Sequence, residues 1–289
     1  MTKIILVPDV HGRKFWKEPI DKYIDEVDKV IFLGDYLDYY PDEFEVGDHT
    51  RKNDIDNFLE IIDLKRKYGN KVVLLKGNHD QHYASNIFNH YAGGTRQDTM
   101  NWNMIHEMFS DFSDLFCLAH AETIDGKMFL FTHAGVTNYW LDKAQLDWLN
   151  NTSEDAVKFT NVELADMINK MDNGSDDEDD IGQKLLSTIG RSRSWFGEKT
   201  GSPLWADVGE HQIPLSKKHG LTDMFQIFGH TRLNNKVADR YQTEYFACID
   251  SQQVFILDNT ELLNIKQYEE KQDAKEQRPG ENSKNDKQG

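Results

Sequence analysis

Six residues stand out by type and position: Asp9, His11, Asp35, Asn78, His133 and His230. Each follows a short apolar run. Residues 4–7 lead into Pro8-Asp9-Val10-His11-Gly12, residues 30–33 into Gly34-Asp35, and residues 72–75 into Gly77-Asn78-His79-Asp80. Residues 128–131 lead into Thr132-His133-Ala134-Gly135, and residues 224–228 into Gly229-His230-Thr231. Carboxylates, an amide oxygen and imidazoles together are a divalent-cation donor set, and mixed N and O suits Mn²⁺, Fe or Zn²⁺ better than Ca²⁺ or Mg²⁺ alone. A single Asp-x-His is a weak signal, and a lone buried histidine is more often a core residue than a ligand. The ordered series carries the metal reading, because five successive runs each end beside one or two of its members. Asp9 and His11 are two residues apart, so in extended chain they project from the same side. Asp35 has two carboxylate oxygens and can bridge. The expected assignment is one cation on Asp9, His11 and Asp35, and a second on Asp35, Asn78, His133 and His230. Two cations ~4 Å apart can acidify a shared water and hold a phosphoryl group for in-line attack. Mn²⁺ is the expected metal, with Fe, Zn²⁺ or Mg²⁺ as alternatives.

Such residues need strands to position them. Continuous Val/Ile/Leu/Phe runs bounded by turn residues read as strands buried on both faces. The polar residues then lie at the strands' carboxyl ends, where open α/β sheets bind ligands. Helical stripes fall between the runs: Trp16, Ile20, Tyr23, Ile24 and Val27; then Ile55, Phe58, Leu59 and Ile62, with Asn53 or Asp54 as a cap; then Trp102, Ile105, Met108, Phe109 and Phe112. Asp125-Gly126 predicts a hairpin into the His133 strand. Residues 244–249, 254–257 and 261–265 read as consecutive antiparallel strands. The expected fold is α/β, with two packed mixed β-sheets flanked by helices, over residues 1–265. Residues 137–219 read as an insertion over the strand ends, with 172–180 a solvated acidic loop. Hydrophobic residues nearly vanish from Lys266, so 266–289 reads as a disordered polar tail.

The composition narrows the partners. The 289 residues carry a net charge of -17, which opposes binding of a nucleic-acid polymer. A small phosphorylated substrate can still bind where cations reverse the local sign. The first apolar run is too short for a signal peptide and no stretch approaches a membrane span, so a cytoplasmic location with no membrane partner is expected. Cys117 and Cys248 lack CxxC spacing, which argues against a disulfide framework or zinc knuckle. No G-x-x-x-x-G-K-[ST] loop is present, which argues against a nucleotide kinase or ATPase.

The series Asp9-Val10-His11, Gly34-Asp35-Tyr36-Leu37-Asp38, Gly77-Asn78-His79-Asp80, His133-Ala134-Gly135 and Gly229-His230 resembles the calcineurin-like metallophosphoesterases. It is most similar to their phosphoprotein phosphatase branch, which includes Ser/Thr phosphatases and diadenosine tetraphosphatases. Gly201-Ser202-Pro203-Leu204-Trp205-Ala206-Asp207 and Ala247-Cys248-Ile249-Asp250 are similar to later segments of that branch. The resemblance implies a metallophosphoesterase sandwich with a dinuclear metal centre. It also implies that His79 protonates the leaving oxygen and that Asp38 holds it. An Asp–His pair fixes the ring tautomer for that role. The plainer reading makes Asp38 a helix cap after the Asp35 turn.

The departures concern the substrate. In protein-phosphatase members an arginine and a glycine follow the second aspartate; here Asp38 is followed by Tyr39 and Tyr40. A bidentate phosphate donor is thereby exchanged for aromatic, hydrogen-bonding groups. Asp80 stands where the branch has glutamate, and Ala134 replaces the first glycine of a His-Gly-Gly motif. Arg191 and Arg193 are expected to supply the missing phosphate contact, ahead of Arg13 and Arg232. Tyr39 is the candidate to stack on a nucleobase or touch a peptide, with packing beneath the insertion as the plainer alternative. The implied activity is phosphomonoester hydrolysis, with a phosphorylated protein or nucleotide as substrate. A dinucleoside polyphosphate hydrolase or nucleotide phosphodiesterase is the alternative, and an inactive binding protein on the same fold is the third.

Overall fold

The apolar runs form strands because both of their faces are covered. A computed structural model describes residues 2–40, 51–85, 97–150, 157–172, 177, 179–211, 214–215, 217–233 and 239–276. Among the described residues, eleven strands form two sheets. In the first, β1 (Lys3–Val7), β2 (Lys29–Phe32), β3 (Val72–Leu75) and β4 (Phe116–Cys117) run parallel. The second holds β5 (Ala119–Ile124), β6 (Lys127–Thr132), β7 (Met224–Phe228), β8 (Tyr241–Gln242) and β9 (Phe246–Cys248). β10 (Phe255–Asp258) returns to the first sheet, antiparallel to β1 and to β11 (Glu261–Asn264).

Side chains alternate between two cores. Ile4, Leu6, Ile31 and Leu33 meet Phe129, Phe131 and Ile227 of the second sheet. Ile5, Val7, Val30 and Phe32 face the opposite way, into a helical layer. That layer is α1 (Lys17–Tyr23), α2 (Arg51–Tyr68), α3 (Asn78–Ala84) and α4 (Trp102–Asp111), packed through Ile20, Phe58, Tyr83 and Phe109. On the second sheet's outer face, α5 (Asn138–Asp147), α6 (Asn161–Met171) and α7 (Ile181–Leu186) bury Trp140, Ile168 and Leu186 around Leu130. Each such buried side chain contributes ~1.5–3 kcal/mol, so the two-faced strands are the main anchors of the fold. The architecture is therefore helix, sheet, sheet, helix. No helix of the described residues is long and apolar enough to cross a membrane.

Several expectations need correcting. The late strands do not form one antiparallel series: β9 lies parallel to β7, and β10 crosses to the other sheet. Between them Gln252 takes a φ of 57°, part of the turn that carries the chain across. Neither Asn53 nor Asp54 caps α2, because that helix already includes Arg51 and Asp54 lies in its first turn. The polar tail is helical over its first part, as α8 (Ile265–Glu276). Tyr268 is its buried aromatic anchor: it is 1% exposed, packs edge to face on Tyr23 and accepts a 2.8 Å hydrogen bond from Lys3 Nζ, while Lys271 pairs with Asp258 and Glu261. A single aromatic anchor leaves little trace in an otherwise polar stretch. Residues 277–289, and 173–176 and 178 of the acidic segment, lie outside the described residues. The Asp125-Gly126 hairpin joins β5 to β6, with φ of 50° and 78° as a two-residue primed turn requires.

Candidate metal centre

The carboxyl ends of β1, β2 and β3 meet those of β6, β7 and β9 along one edge of the sandwich. The turns there are locked to one another by backbone hydrogen bonds. Val10 and His11 N–H both donate to Asp35 O, at 3.1 and 2.7 Å, and Gly12 N–H donates to Tyr36 O at 2.9 Å. Gly34 and Gly77 lie back to back, and a Cβ on Gly34 would strike the backbone of Gly77. Gly34 also has a φ of 107°, which side chains disfavour. A Cβ on Gly77 would in turn displace the Asp35 carboxylate. The buried Asp80 carboxylate ties the same turns together, accepting N–H groups from Asp35 (2.6 Å), Gly77 (2.8 Å) and Tyr36 (3.0 Å).

The six candidate ligands converge. Asp35 Oδ2 lies 3.6 Å from His11 Nε2 and 3.5 Å from His133 Nε2. His133 Nε2 is also 3.0 Å from Asn78 Oδ1 and 3.1 Å from His230 Nδ1. Asp9 accepts the His230 N–H on both oxygens, at 3.0 and 3.1 Å, which joins the two sheets. Among the described residues, two groups have ligand atoms close enough to hold an ion: Asp9, His11 and Asp35, and Asp35, His133 and His230. Asp35 belongs to both.

The donor chemistry fits a cation. His11 Nδ1–H donates to Leu37 O at 2.9 Å and His133 Nδ1–H to Leu33 O at 2.8 Å. Each neutral ring therefore turns an Nε2 lone pair toward the Asp35 carboxylate, so acceptors face acceptors. His230 Nε2 is buried and has no hydrogen-bond partner among the described residues. Burial holds the imidazoles of His11 and His230 well below their ordinary pKa and lowers His133 to about 3. Burial likewise pushes the Asp9 and Asp35 carboxyls well up, with Asp250 adding to Asp9 and Asp9 to Asp35. A metal ion would relieve every one of these costs, accepting the lone pairs and neutralising the carboxylates.

The centre floors a cleft of about 440 Å³. His79 Nδ1–H donates to Asp38 Oδ2 at 3.0 Å, and Tyr83 Oη donates to Asp38 Oδ1 at 2.6 Å. Among the described residues no helix begins directly after Asp38; its φ is 63°, and its carboxylate meets His79. Arg193 lines the cleft, pairs with Asp207 at 3.1 Å and donates to His230 O at 3.2 Å. Arg191 is exposed and does not line it, whereas Arg13 and Arg232 do. Tyr39 does not line it either: its ring lies under the Arg13 guanidinium at 4.7 Å. Tyr40 is the tyrosine that enters the cleft.

Three further groups carry no assignment from the sequence. Asp80 follows His79 directly, yet its bonding to three N–H groups is a tertiary fact. Asp250 lines the cleft beside Asp9; burial raises its pKa to about 6 against the pull of Arg232, Arg13 and Arg193. The apolar run 246–249 before Asp250 repeats the pattern of the other ligands, and is the signal that could have found it. Trp205 also lines the cleft, its buried indole N–H without a partner among the described residues.

Comparison with known proteins places the chain in a family. A probable serine/threonine-protein phosphatase of Encephalitozoon cuniculi is 26% identical over 135 residues, 46% of this chain and 26% of that protein. The matched region thus spans about a quarter of that relative's length. The structure of a cold-active protein tyrosine phosphatase superposes with a TM-score of 0.53 at 15% identity, covering 91% of this chain and 76% of that one. A Saccharomyces cerevisiae protein serine/threonine phosphatase gives 0.47 at 15% identity, covering 91% and 78%. The family described as calcineurin-like phosphoesterase matches residues 2–231, which include every candidate ligand, and the chain belongs to that family.

Proposed function

We propose that the chain is a metal-dependent phosphoric ester hydrolase with a dinuclear centre, acting on phosphomonoesters and resembling the Ser/Thr protein phosphatases in its reaction. The observation that carries this is the position of Asp35 Oδ2, 3.6 Å from His11 Nε2 and 3.5 Å from His133 Nε2. Asp9, His11 and Asp35 would hold one cation, and Asp35, Asn78, His133 and His230 the other. Mn²⁺ is the proposed metal on this mixed donor set. Bound there, the cations supply Lewis acidity that activates water and neutralises phosphoryl oxygens. The chain's own groups do the rest. Asp38 fixes the His79 tautomer with Nε2 directed away from it, so His79 acts as the acid for the leaving oxygen. Arg193, with Arg13 and Arg232, holds the outer oxygens of the phosphoryl group.

A dinucleoside polyphosphate hydrolase is the second reading, favoured by three arginines lining one cleft while Tyr39 stands where the branch has its arginine. The test is metal-stripped protein reloaded with Mn²⁺ and given p-nitrophenyl phosphate, its bis-ester, a phosphopeptide and a dinucleoside tetraphosphate. Monoester turnover is the expected result. Preference for the bis-ester or the dinucleotide transfers the proposal to the second reading. Two bound metals without turnover of any substrate would leave only a binding protein.

A further inference from the structure

Both ring nitrogens of His79 are engaged within the chain. Nδ1 is 3.0 Å from Asp38 Oδ2, and Nε2 is 3.1 Å from Tyr40 Oη. With Nδ1–H given to the carboxylate, only Nε2 can exchange a proton with a molecule in the cleft. That direction is occupied by the Tyr40 hydroxyl. The Tyr40 ring is well fixed there: it stands edge to face on His11, centroids 5.1 Å apart, and on His79 at 5.6 Å. Its main chain is held too, since Arg13 Nη2 donates to Tyr40 O at 2.5 Å while the same guanidinium covers Tyr39. Asp38 and Tyr40 therefore hold opposite ends of one imidazole, while Tyr39 between them lies against Arg13. A hydroxyl accepts and donates at once, so it can pass a proton where an arginine or a glycine cannot.

We propose that Tyr40 is a catalytic residue whose hydroxyl meets the leaving oxygen and hands it the proton carried by His79. In the step, the Nε2–H proton moves to Tyr40 Oη as the Tyr40 O–H proton moves to the leaving oxygen. As the oxygen of a water molecule bonds to phosphorus, the ester P–O bond opposite it breaks with its electron pair on the leaving oxygen, which departs as an alcohol. His79 is left neutral and Tyr40 is again a phenol. This rests on His79 being the acid, and the test separates the two claims.

The experiment compares wild type, Tyr40→Phe, His79→Ala and the double variant, all loaded with Mn²⁺, on two substrates. One is p-nitrophenyl phosphate, whose leaving oxygen departs without a proton; the other is a phosphoserine peptide, whose leaving oxygen needs one. General acids contribute ~10²–10⁴-fold, so Tyr40→Phe should lose at least ~10-fold in kcat on the peptide and under ~3-fold on the aryl ester. KM and Mn²⁺ content should hold. The double variant should be no slower than His79→Ala, because the two residues act in series. In metal-free protein labelled with ¹⁵N-histidine, Tyr40→Phe should shift the His79 Nε2 resonance. Equal losses on both substrates, additive losses in the double variant, a gain in rate or a loss of Mn²⁺ would each overturn the role of Tyr40. If His79→Ala itself loses equally on both substrates, the acid assignment fails first. If wild type turns over neither substrate, the proposed function fails.

Discussion

Asp9 and Asp35 sit on turns whose backbone is fixed by neighbouring strand ends and Asn78 opens α3 beside them, whereas Trp195 and Phe196 project from the tip of a loop held at its base. The floor of the cleft is buried on every side: Asp35, Asn78 and His133 have almost no exposed surface. The rim is open, with Trp195 94% and Phe196 95% exposed. The difference follows from what each must do. Ligands for a cation have to stay within a few tenths of an ångström, so they are placed on strands and braced by a second set of groups such as Asp80. Groups that choose among substrates can tolerate a looser mount. In the proposed function the floor would carry the reaction and the rim the choice of substrate.

The largest effect should therefore come from Asp35, which belongs to both candidate ligand groups. Asp35→Asn keeps the volume and the hydrogen bond from His79 N–H but removes the charge that faces two imidazoles. Bound Mn²⁺, measured by elemental analysis after dialysis, should fall for both ions together. Turnover should drop by more than the ~10–100-fold typical of losing an outer partner of a metal ligand. Loss of only one ion would show that the two half-sites fill independently. That would break the picture of a single floor.

Arg193 tests the rim. Arg193→Ala removes a guanidinium that lines the cleft and bonds His230 O and Thr231 Oγ1. A hydrogen bond to a charged group contributes about 1.5–3 kcal/mol, so KM should rise ~10-fold or more while kcat stays within ~3-fold. Arg193→Lys should recover part of the loss, since it restores the charge without the planar fork. A fall in kcat at constant KM would move Arg193 from binding to chemistry and blur the comparison. Bound Mn²⁺ should be unchanged in both variants.

The same division explains what could be read from residue order. Strands buried on both faces leave continuous apolar runs, and the polar residue that ends each run is plain to see. That is how Asp9, Asp35, Asn78, His133 and His230 stand out from the chain alone. Asp250 ends a similar run but was hidden, because whether β9 runs parallel or antiparallel is decided by its neighbours and not by its own residues. Tyr39 and Tyr40 differ by one position. Which of them enters the cleft depends on the left-handed turn at Asp38, where the alternation of an extended strand no longer applies. Arg13 lies directly after the His11 turn, yet its place at the rim needed the fold of Tyr39 beneath it. Rim residues carry no periodic signal, so their order in the chain could not rank them.

The smallest effect, and the sharpest separation of rim from floor, is expected at the loop tip. Its shape comes from the main chain: Arg191 N–H donates to Glu198 O, Glu198 N–H to Ile189 O, and Arg193 and Ser194 N–H both to Gly190 O. Glu210 pins the base, accepting Ser192 N–H at 3.2 Å and Gly201 N–H at 2.7 Å. Trp195 and Phe196 add nothing to this framework, being almost wholly in solvent. Trp195→Ser with Phe196→Ser should therefore change unfolding free energy by no more than ~0.5 kcal/mol, read from urea midpoints, with Mn²⁺ content unaltered. Removing Glu210 as alanine should cost more, since N–H groups would lose a charged acceptor worth about 1.5–3 kcal/mol. If the serine pair instead destabilises by more than ~1 kcal/mol, the aromatic tip folds down over the cleft in solution. Rim and floor would then be one packed unit, and substrate choice could not vary without disturbing the metal site beneath it.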